Sequence, residues 1–461
     1  MLKENKNKEV KEKRKNLRAH LRLSIQYEKM LPGGAFDIPI AVPVRDISQD
    51  GLSFYSQEKI DINSNLRIKM FISSEEYVVF MGKVVRITLS EEEKMNYLIG
   101  VKIKDINEED AKKIHSFLER IDINKVLETI NITENVMDIH FIVDYPPVVK
   151  KVGKLVVEKG VPFDEYTLKC LLLSILDEDR YKKFITTKEI NFIFTSHKGI
   201  RFRVNLHVQK GKIEGVFRII PANIRSPLQL GLPNAAESLL DNDKGLILIS
   251  GRTGSGKTTT LAAMVEYINN KRDAIIVCVE DPIEYIHVNN KAFIKQREIG
   301  RDTLSFYNAA KNALRQNPDV LVIGEILDME TMETAITAAE TGALVLTSIH
   351  AGNVSQALDR VTSFFPADMQ SHILKRLSLI LKGVIAQDLL PRIDSKGLVL
   401  ASEILIVTPA VRRIVREGDW KQIPSMIQMG KGVGMQSMQE SLEKLYRNRL
   451  IDEGYLKGEG L

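Results

Sequence analysis

Residues Gly251 to Thr258, Gly-Arg-Thr-Gly-Ser-Gly-Lys-Thr, follow the pattern G-x-x-x-x-G-K-[ST], in which each residue type serves an anion. Glycines 251, 254 and 256 let the main chain curl until its N–H groups converge on phosphate oxygens. Lys257 adds a point charge for the β and γ phosphates of a nucleoside triphosphate. Thr258 carries a hydroxyl suited to Mg²⁺, and a helix starting there aims its positive dipole end at the same anion. Thr253, Ser255 and Thr259 complete the candidate ATP-binding set with Gly251, Gly254, Gly256, Lys257 and Thr258.

Phosphoryl transfer to water also needs a group that polarises the water and charges that stabilise the transition state. Candidates follow three apolar runs: Glu280, Asp281 and Glu284 after Ile275–Val279, Glu325 after Val320–Ile323, and His350 after Ala343–Ser348. Glu325 stands where an acidic metal-side residue acts on Mg²⁺ through water.

The elements that must hold these groups alternate. Beyond residue 240, short apolar strands and helical segments succeed one another, the pattern of a parallel sheet covered by helices, with phosphate loops at the carboxyl ends of its strands. From about 365 the chain reads as helical and amphipathic, broken at Pro391 and Pro409. Residues 123 to 225 mix both patterns, as a separate α/β unit does. There the period of two over 201–208 places Arg201, Arg203, Asn205 and His207 on one face and four apolar residues on the other. Residues 20 to 105 alternate six apolar runs with turn signals, as in a small antiparallel barrel, and helical spacing from Asn107 closes that domain. The expected boundaries are 1–122, 123–225 and 226–461.

A chain of 461 residues with 44% hydrophobic and 27% charged residues reads as soluble, multidomain and cytoplasmic, because no apolar run approaches the roughly 18 residues of a membrane span. Two isolated cysteines, Cys170 and Cys278, exclude a disulfide framework or cysteine zinc site. Residues 1–22 hold nine Lys or Arg against three Glu, so the net charge of +5 sits almost wholly in that arm. Charge confined to one arm, without a recognised nucleic-acid motif, argues against a nucleic-acid translocase.

The segments EDPIEYIH (280–287), QREIGRDTLSF (296–306), ALRQNPDVLVIGE (313–325), TAAETGALVLTSIHA (337–351) and SMIQMGKGVGMQSM (425–438) resemble the PilT family of type IV pilus retraction ATPases, within the larger family of secretion ATPases. MDIHF (137–141) and FRVN (202–205) extend the resemblance over about two thirds of the chain. It implies a PAS-like α/β N-domain, a RecA-like α/β P-loop core with a helical C-terminal region, and a homo-hexameric ring docked on an inner-membrane pilus platform protein, peripheral to the membrane. It further implies that Glu284 activates water, that Glu325 lies in a metal-side motif and His350 in a histidine box, and that Arg203 and Arg218 approach a neighbour's nucleotide. The chain departs from the family at Leu327, where arginine is usual, at Ala343, where a second histidine is usual, and at Ala351-Gly352, which replaces Thr-Thr. Lys210 and Lys212 flank Gly211, where a hairpin arginine is common. ILIVTPAVRRIVRE (404–417) is similar to a motif of retraction motors, and the missing four-cysteine zinc module separates the chain from typical extension and secretion motors.

At the other end, Arg14-Lys15-Asn16-Leu17-Arg18 precedes Asp46-Ile47-Ser48-Gln49-Asp50-Gly51. RxxxR followed by [DN]xSxxG resembles the PilZ domain, a β-barrel that binds cyclic di-GMP. Arg14 and Arg18 can fork onto phosphates and stack on guanines, Asp46 and Ser48 offer polar groups to a base edge, and Gly51 permits a tight turn. The sequence therefore reads as a Mg²⁺-ATP-hydrolysing retraction motor under cyclic di-GMP control. The alternatives are an extension or secretion ATPase, or a nucleotide-binding regulatory ring with little turnover.

Overall fold

The computed structural model describes residues 23–48, 50–89, 97–130, 132, 136–151, 154–394 and 397–457. The chain divides into two compact units, Met1–Ile219 and Ile220–Leu461.

The first unit opens with six antiparallel strands: β1 (Ser24–Lys29), β2 (Ile40–Ser48), β3 (Gly51–Ser56), β4 (Asn65–Phe71), β5 (Tyr77–Leu89) and β6 (Tyr97–Asp105), closed in the order β1-β2-β3-β6-β5-β4. Alternation drives the closure. Along β4, Leu66, Ile68 and Met70 are fully buried while Asn65 and Arg67 are exposed, and closure leaves no strand edge to protect. The helix Glu108–Arg120, capped by Asn107, buries Ile114 and Phe117 against this core.

The second sheet of this unit has the order β10-β11-β12-β7-β8-β9, from β7 (Val136–Phe141), β8 (Val148–Lys151), β9 (Lys154–Val157), β10 (Glu189–Thr195), β11 (Arg201–Gln209) and β12 (Lys212–Ile220). Phe202, Val204 and Leu206 of β11 are fully buried, and Arg201, Arg203, Asn205 and His207 are half-buried on the opposite face. Barrel and sheet meet at the helix Glu165–Leu173: Tyr166 donates its hydroxyl to Phe71 O at 3.2 Å, its ring stacks on Phe117 at 6.2 Å, and Cys170 joins the barrel core. Burial pushes the Cys170 thiol up to about 12, so it serves as a small hydrophobe rather than a thiolate.

The other unit is built on a seven-stranded sheet ordered β15-β14-β16-β17-β13-β18-β19. Its strands are β13 (Gly245–Ser250), β14 (Ile275–Glu280), β15 (Phe293–Glu298), β16 (Val320–Ile323), β17 (Leu344–Ile349), β18 (Leu381–Pro391) and β19 (Leu398–Ile406). All neighbours are parallel except β18 and β19. Every residue of β13 and β17 is buried, which explains their continuous apolar runs between two helical layers.

The segment from 365 corrects the sequence reading. It contains the helices Ala367–Ile380, Pro409–Glu417, Ile423–Met429 and Met438–Arg447, but β18 and β19 interrupt them and extend the sheet beyond β13. The helix ending at Ile380 passes into β18 three residues before Gly383, and a short apolar run is compatible with either state until a partner strand claims it. Among the described residues no helix is long and apolar enough to cross a membrane.

Candidate functional site

The curl from Gly251 to Gly256 follows β13 and opens the helix Lys257–Lys271. Gly256 caps this helix at φ 86° with no side-chain hydrogen bond, so its first-turn N–H groups remain available to an anion. Gly251 has no room for a side chain: a Cβ there would lie 2.2 Å from Ser255 Oγ and 2.5 Å from Gln387 O. Ser255 Oγ is buried and has no partner among the described residues, an orphaned donor inside a phosphate-type loop. Arg252, Thr253, Gly254 and Thr258 are exposed at its mouth.

Lys257 is 8% exposed. Its Nζ donates to Gly251 O at 2.8 Å and Arg252 O at 2.9 Å, and lies 3.3 Å from His350 Nδ1. Burial lowers its pKa below the ordinary value, partly offset by the Glu325 carboxylate. Its three protons are engaged by Gly251 O, Arg252 O and His350 Nδ1, so a phosphate oxygen reaching this ammonium would take the place of one of these acceptors. His350 Nε2 stands 3.2 Å from Glu325 Oε2. An ammonium can only donate, so Nδ1 accepts and Nε2 carries the proton towards Glu325. Lys257, His350 and Glu325 form one line because β17 flanks β13 and β16 flanks β17. A cleft of about 630 Å³ opens beside them, lined by Arg252, Thr253, His350, Ala351, Gly352, Asn353 and Gln356.

The acidic loop after β14 is fastened separately. Gln296 Nε2 donates to Glu280 Oε1 at 2.9 Å and to Tyr285 O at 2.7 Å, while Tyr285 OH meets Thr259 Oγ1 at 3.0 Å. Tyr285 is 5% exposed, so the residue next to half-buried Glu284 is tied to the first turn of the phosphate-loop helix. The Asp281–Pro282 peptide in this loop is cis. Thr258 and Glu325 offer only oxygen, the hard donor set that magnesium takes, so these residues fit that ion.

The sequence reading did not single out Gln387, Tyr285 or Gln296 as site residues. Tyr285 stands inside the quoted acidic motif and could have been noticed; Gln387 lies on β18, whose strand character the sequence did not reveal. Arg203 and Arg218 lie in the other unit. Arg218 Nε donates to Asp138 Oδ1 at 2.8 Å, and that carboxylate is only 4% exposed, so this guanidinium neutralises a buried charge.

In the barrel, Ser53 Oγ donates to Asp46 Oδ1 at 2.6 Å and Ser48 Oγ to Gly51 O at 3.1 Å. At Gly51 a Cβ would stand 2.4 Å from Val101 O, which explains glycine where β3 crosses β6. Arg14 and Arg18 lie outside the described residues.

The phosphate loop at the carboxyl edge of a parallel sheet, with carboxylate and imidazole from adjacent strands, defines a P-loop ATPase. A family profile described as type II/IV secretion system protein matches residues 187–445, and the PilZ domain profile matches 12–120. The type IV pilus retraction ATPase PilT of Pseudomonas aeruginosa is 38% identical over 314 residues, covering 68% of this chain and 91% of that protein. A twitching motility protein of Neisseria gonorrhoeae is 41% identical over 281 residues, 61% of this chain and 75% of its own. A crystal structure of the pilus retraction motor PilT with bound ADP superposes with a TM-score of 0.66 at 37% identity, covering 74% of this chain and 97% of that one. The chain belongs to the type II/IV secretion system protein family, as a PilT-like ATPase with an N-terminal PilZ domain.

Proposed function

We propose that this ATPase works as a homo-hexameric ring that retracts a type IV pilus, docked on a platform protein at the inner face of the cytoplasmic membrane and regulated by cyclic di-GMP on its barrel. Its parts are then the barrel to residue 122, the α/β unit 123–225 and the motor core 226–461. The observation that carries the ATP-hydrolysing part of this reading is the line from Lys257 through His350 to Glu325, at 3.3 and 3.2 Å, beside the phosphate loop; likeness to a retraction ATPase and the PilZ profile support the rest.

Within it, the loop N–H groups and Lys257 hold the β and γ phosphates. Thr258, and Glu325 through water, would hold Mg²⁺, whose charge would offset the developing negative charge. Glu284 orients and deprotonates the attacking water, and Tyr285 supports it by anchoring the acidic loop on Thr259. Arg203 and Arg218 complete a neighbouring subunit's site, Arg218 while still paired with buried Asp138. His350 links the carboxylate to Lys257, so displacement of one registers on the other. On the barrel, Asp46, Ser48 and Gly51 present the turn that meets cyclic di-GMP, with Arg14 and Arg18 on its phosphates.

Steady-state phosphate release from the purified chain tests the motor. Lys257→Ala abolishes turnover, and Glu284→Gln lowers kcat by about 10²-fold or more, the scale of a lost general base, while nucleotide still binds. Parent-like hydrolysis by Glu284→Gln overturns the assigned role. A second reading, a ring that binds nucleotide and gates a partner with little turnover, draws on Leu327, which is 57% exposed where the family usually carries arginine. Negligible phosphate release by a parent chain that binds ATP selects it.

A further inference from the structure

The phosphate loop rests on a strand that carries none of the recognised motifs. Gln387 of β18 is 2% exposed, and both ends of its amide are used across the site. Its Nε2 donates to Ser255 O at 2.7 Å, and its Oε1 accepts from Thr260 Oγ1 at 2.8 Å. Its own carbonyl oxygen is what a side chain at Gly251 would strike, and Leu389, two residues on, lies 3.1 Å from where a Cβ of Gly256 would be. β18 is therefore the floor of the loop from its first glycine to its last.

We propose that Gln387 is a positioning residue for nucleotide phosphate, acting through the Ser255–Gly256 peptide; the inference rests on the reading of this loop as the ATP site. In a trans peptide the carbonyl and the N–H of one planar unit point in opposite directions. Pinning Ser255 C=O down onto Gln387 turns Gly256 N–H away from β18. Because β18 and Leu389 fill the floor, that is the side from which phosphate arrives. Ser255 O, which can only accept, sets the sense of the pin, and Thr260 occupies the other end of the amide. The Thr260 hydroxyl donates to Oε1; a reversed amide would set Oε1 against Ser255 O. The three threonines of the helix start thus divide their work: Thr258 is exposed at the mouth, Thr259 holds the acidic loop through Tyr285, and Thr260 satisfies the far end of the amide under the loop.

The experiment titrates the full-length chain with fluorescent mant-ADP and magnesium, alongside thermal midpoints without nucleotide, for Gln387→Glu, Gln387→Met and Thr260→Val. Gln387→Glu keeps an acceptor for Thr260 but turns a carboxylate oxygen onto Ser255 O beneath the phosphate loop, so its Kd rises about tenfold or more, beyond the scale of one lost hydrogen bond at about 1.4 kcal/mol. Gln387→Met, which loses the donor without adding a charge, raises Kd about tenfold, and Thr260→Val, which leaves Oε1 without its donor and the amide less firmly held, raises it about threefold, a smaller share of the same bond. The Thr260→Val and Gln387→Met effects are non-additive in the double variant. If Gln387 merely fills the core, midpoints fall while every Kd stays within twofold of the parent, and the proposal is overturned. Should Gln387→Met not fold, Gln387→Glu and Thr260→Val decide alone. A parent chain that does not bind mant-ADP overturns the nucleotide reading itself, whereas parent binding with unchanged variant affinities overturns only the positioning role.

Discussion

The phosphate loop and the barrel turn are both glycine-bearing bends that follow a strand, yet they are held by different means. Around the phosphate loop the fastening bonds reach far along the chain: Ser250 Oγ to Ala351 O, Ser348 Oγ to Gly324 O, Gln387 to Ser255 O, and Tyr285 to Thr259. In the barrel, Ser48 Oγ donates to Gly51 O and Ser53 Oγ to Asp46 Oδ1, partners three and seven residues apart, and one main-chain bond, Ile103 N–H to Asp50 O at 2.9 Å, ties the turn to β6. A locally bonded turn keeps its shape wherever its two strands pair. A loop braced by β18 and by the segments that follow β17 and β14 is correct only when the sheet that places them is. That suits a site where small displacements of phosphate or water cost catalysis, against one that has only to present a polar edge.

Paired glycine substitutions break this comparison most severely. Gly251→Ala forces a methyl group into Ser255 and Gln387, and overpacking of about 1–3 kcal/mol lowers nucleotide affinity roughly ten- to a hundredfold in a mant-nucleotide titration. Gly51→Ala meets Val101 O as closely; it lowers the thermal midpoint through a similar cost of about 1–3 kcal/mol while leaving nucleotide Kd within about twofold. Loss of nucleotide affinity in Gly51→Ala shows that the turn is not local in its effects.

Asp46→Asn sharpens the same contrast more gently. The amide keeps the size of the side chain but weakens a hydrogen bond to a charged acceptor, so cyclic di-GMP binding by calorimetry weakens about tenfold. Unchanged heat and affinity remove Asp46 from the effector site.

The smallest effect concerns stability near the acidic loop. His287 is 3% exposed, and burial lowers its pKa below the ordinary 6.5, opposed by Glu266 at 3.5 Å. The unfolded chain binds the proton more readily. Stability is therefore full above about pH 6.5 and declines as pH falls towards the lowered folded value, by at most about 1.4 kcal/mol per unit. Glu403, pushed up by burial, contributes with the opposite sign. The measurement is accordingly the difference between parent and His287→Gln in thermal midpoint against pH, expected to widen above 6.5 and close below it. A difference independent of pH refutes the assignment.

Much of this molecule was legible before folding. All six barrel strands, the greasy and cationic faces of β11, and the strand–loop–helix at 245–271 follow from periods of two, from continuous apolar runs and from glycine spacing, because these patterns report which face of an element must leave water. β18 was not legible. In Leu381–Pro391 only Gly383 and the terminal Pro391 speak against a helix that continues, and the decision comes from pairing with β13 and β19.

The amino-acid sequence by itself determined that a phosphate loop exists, that carboxylates and a histidine follow neighbouring strands, and that a small barrel precedes them, since local spacing and composition encode all three. Only the tertiary structure decided that β17 and β16 bring His350 and Glu325 into line with Lys257, and that Gln387 lies beneath Ser255. Those contacts link residues 25 to 132 positions apart. Strand order is set by the burial of a shared core, and no window of sequence contains both partners.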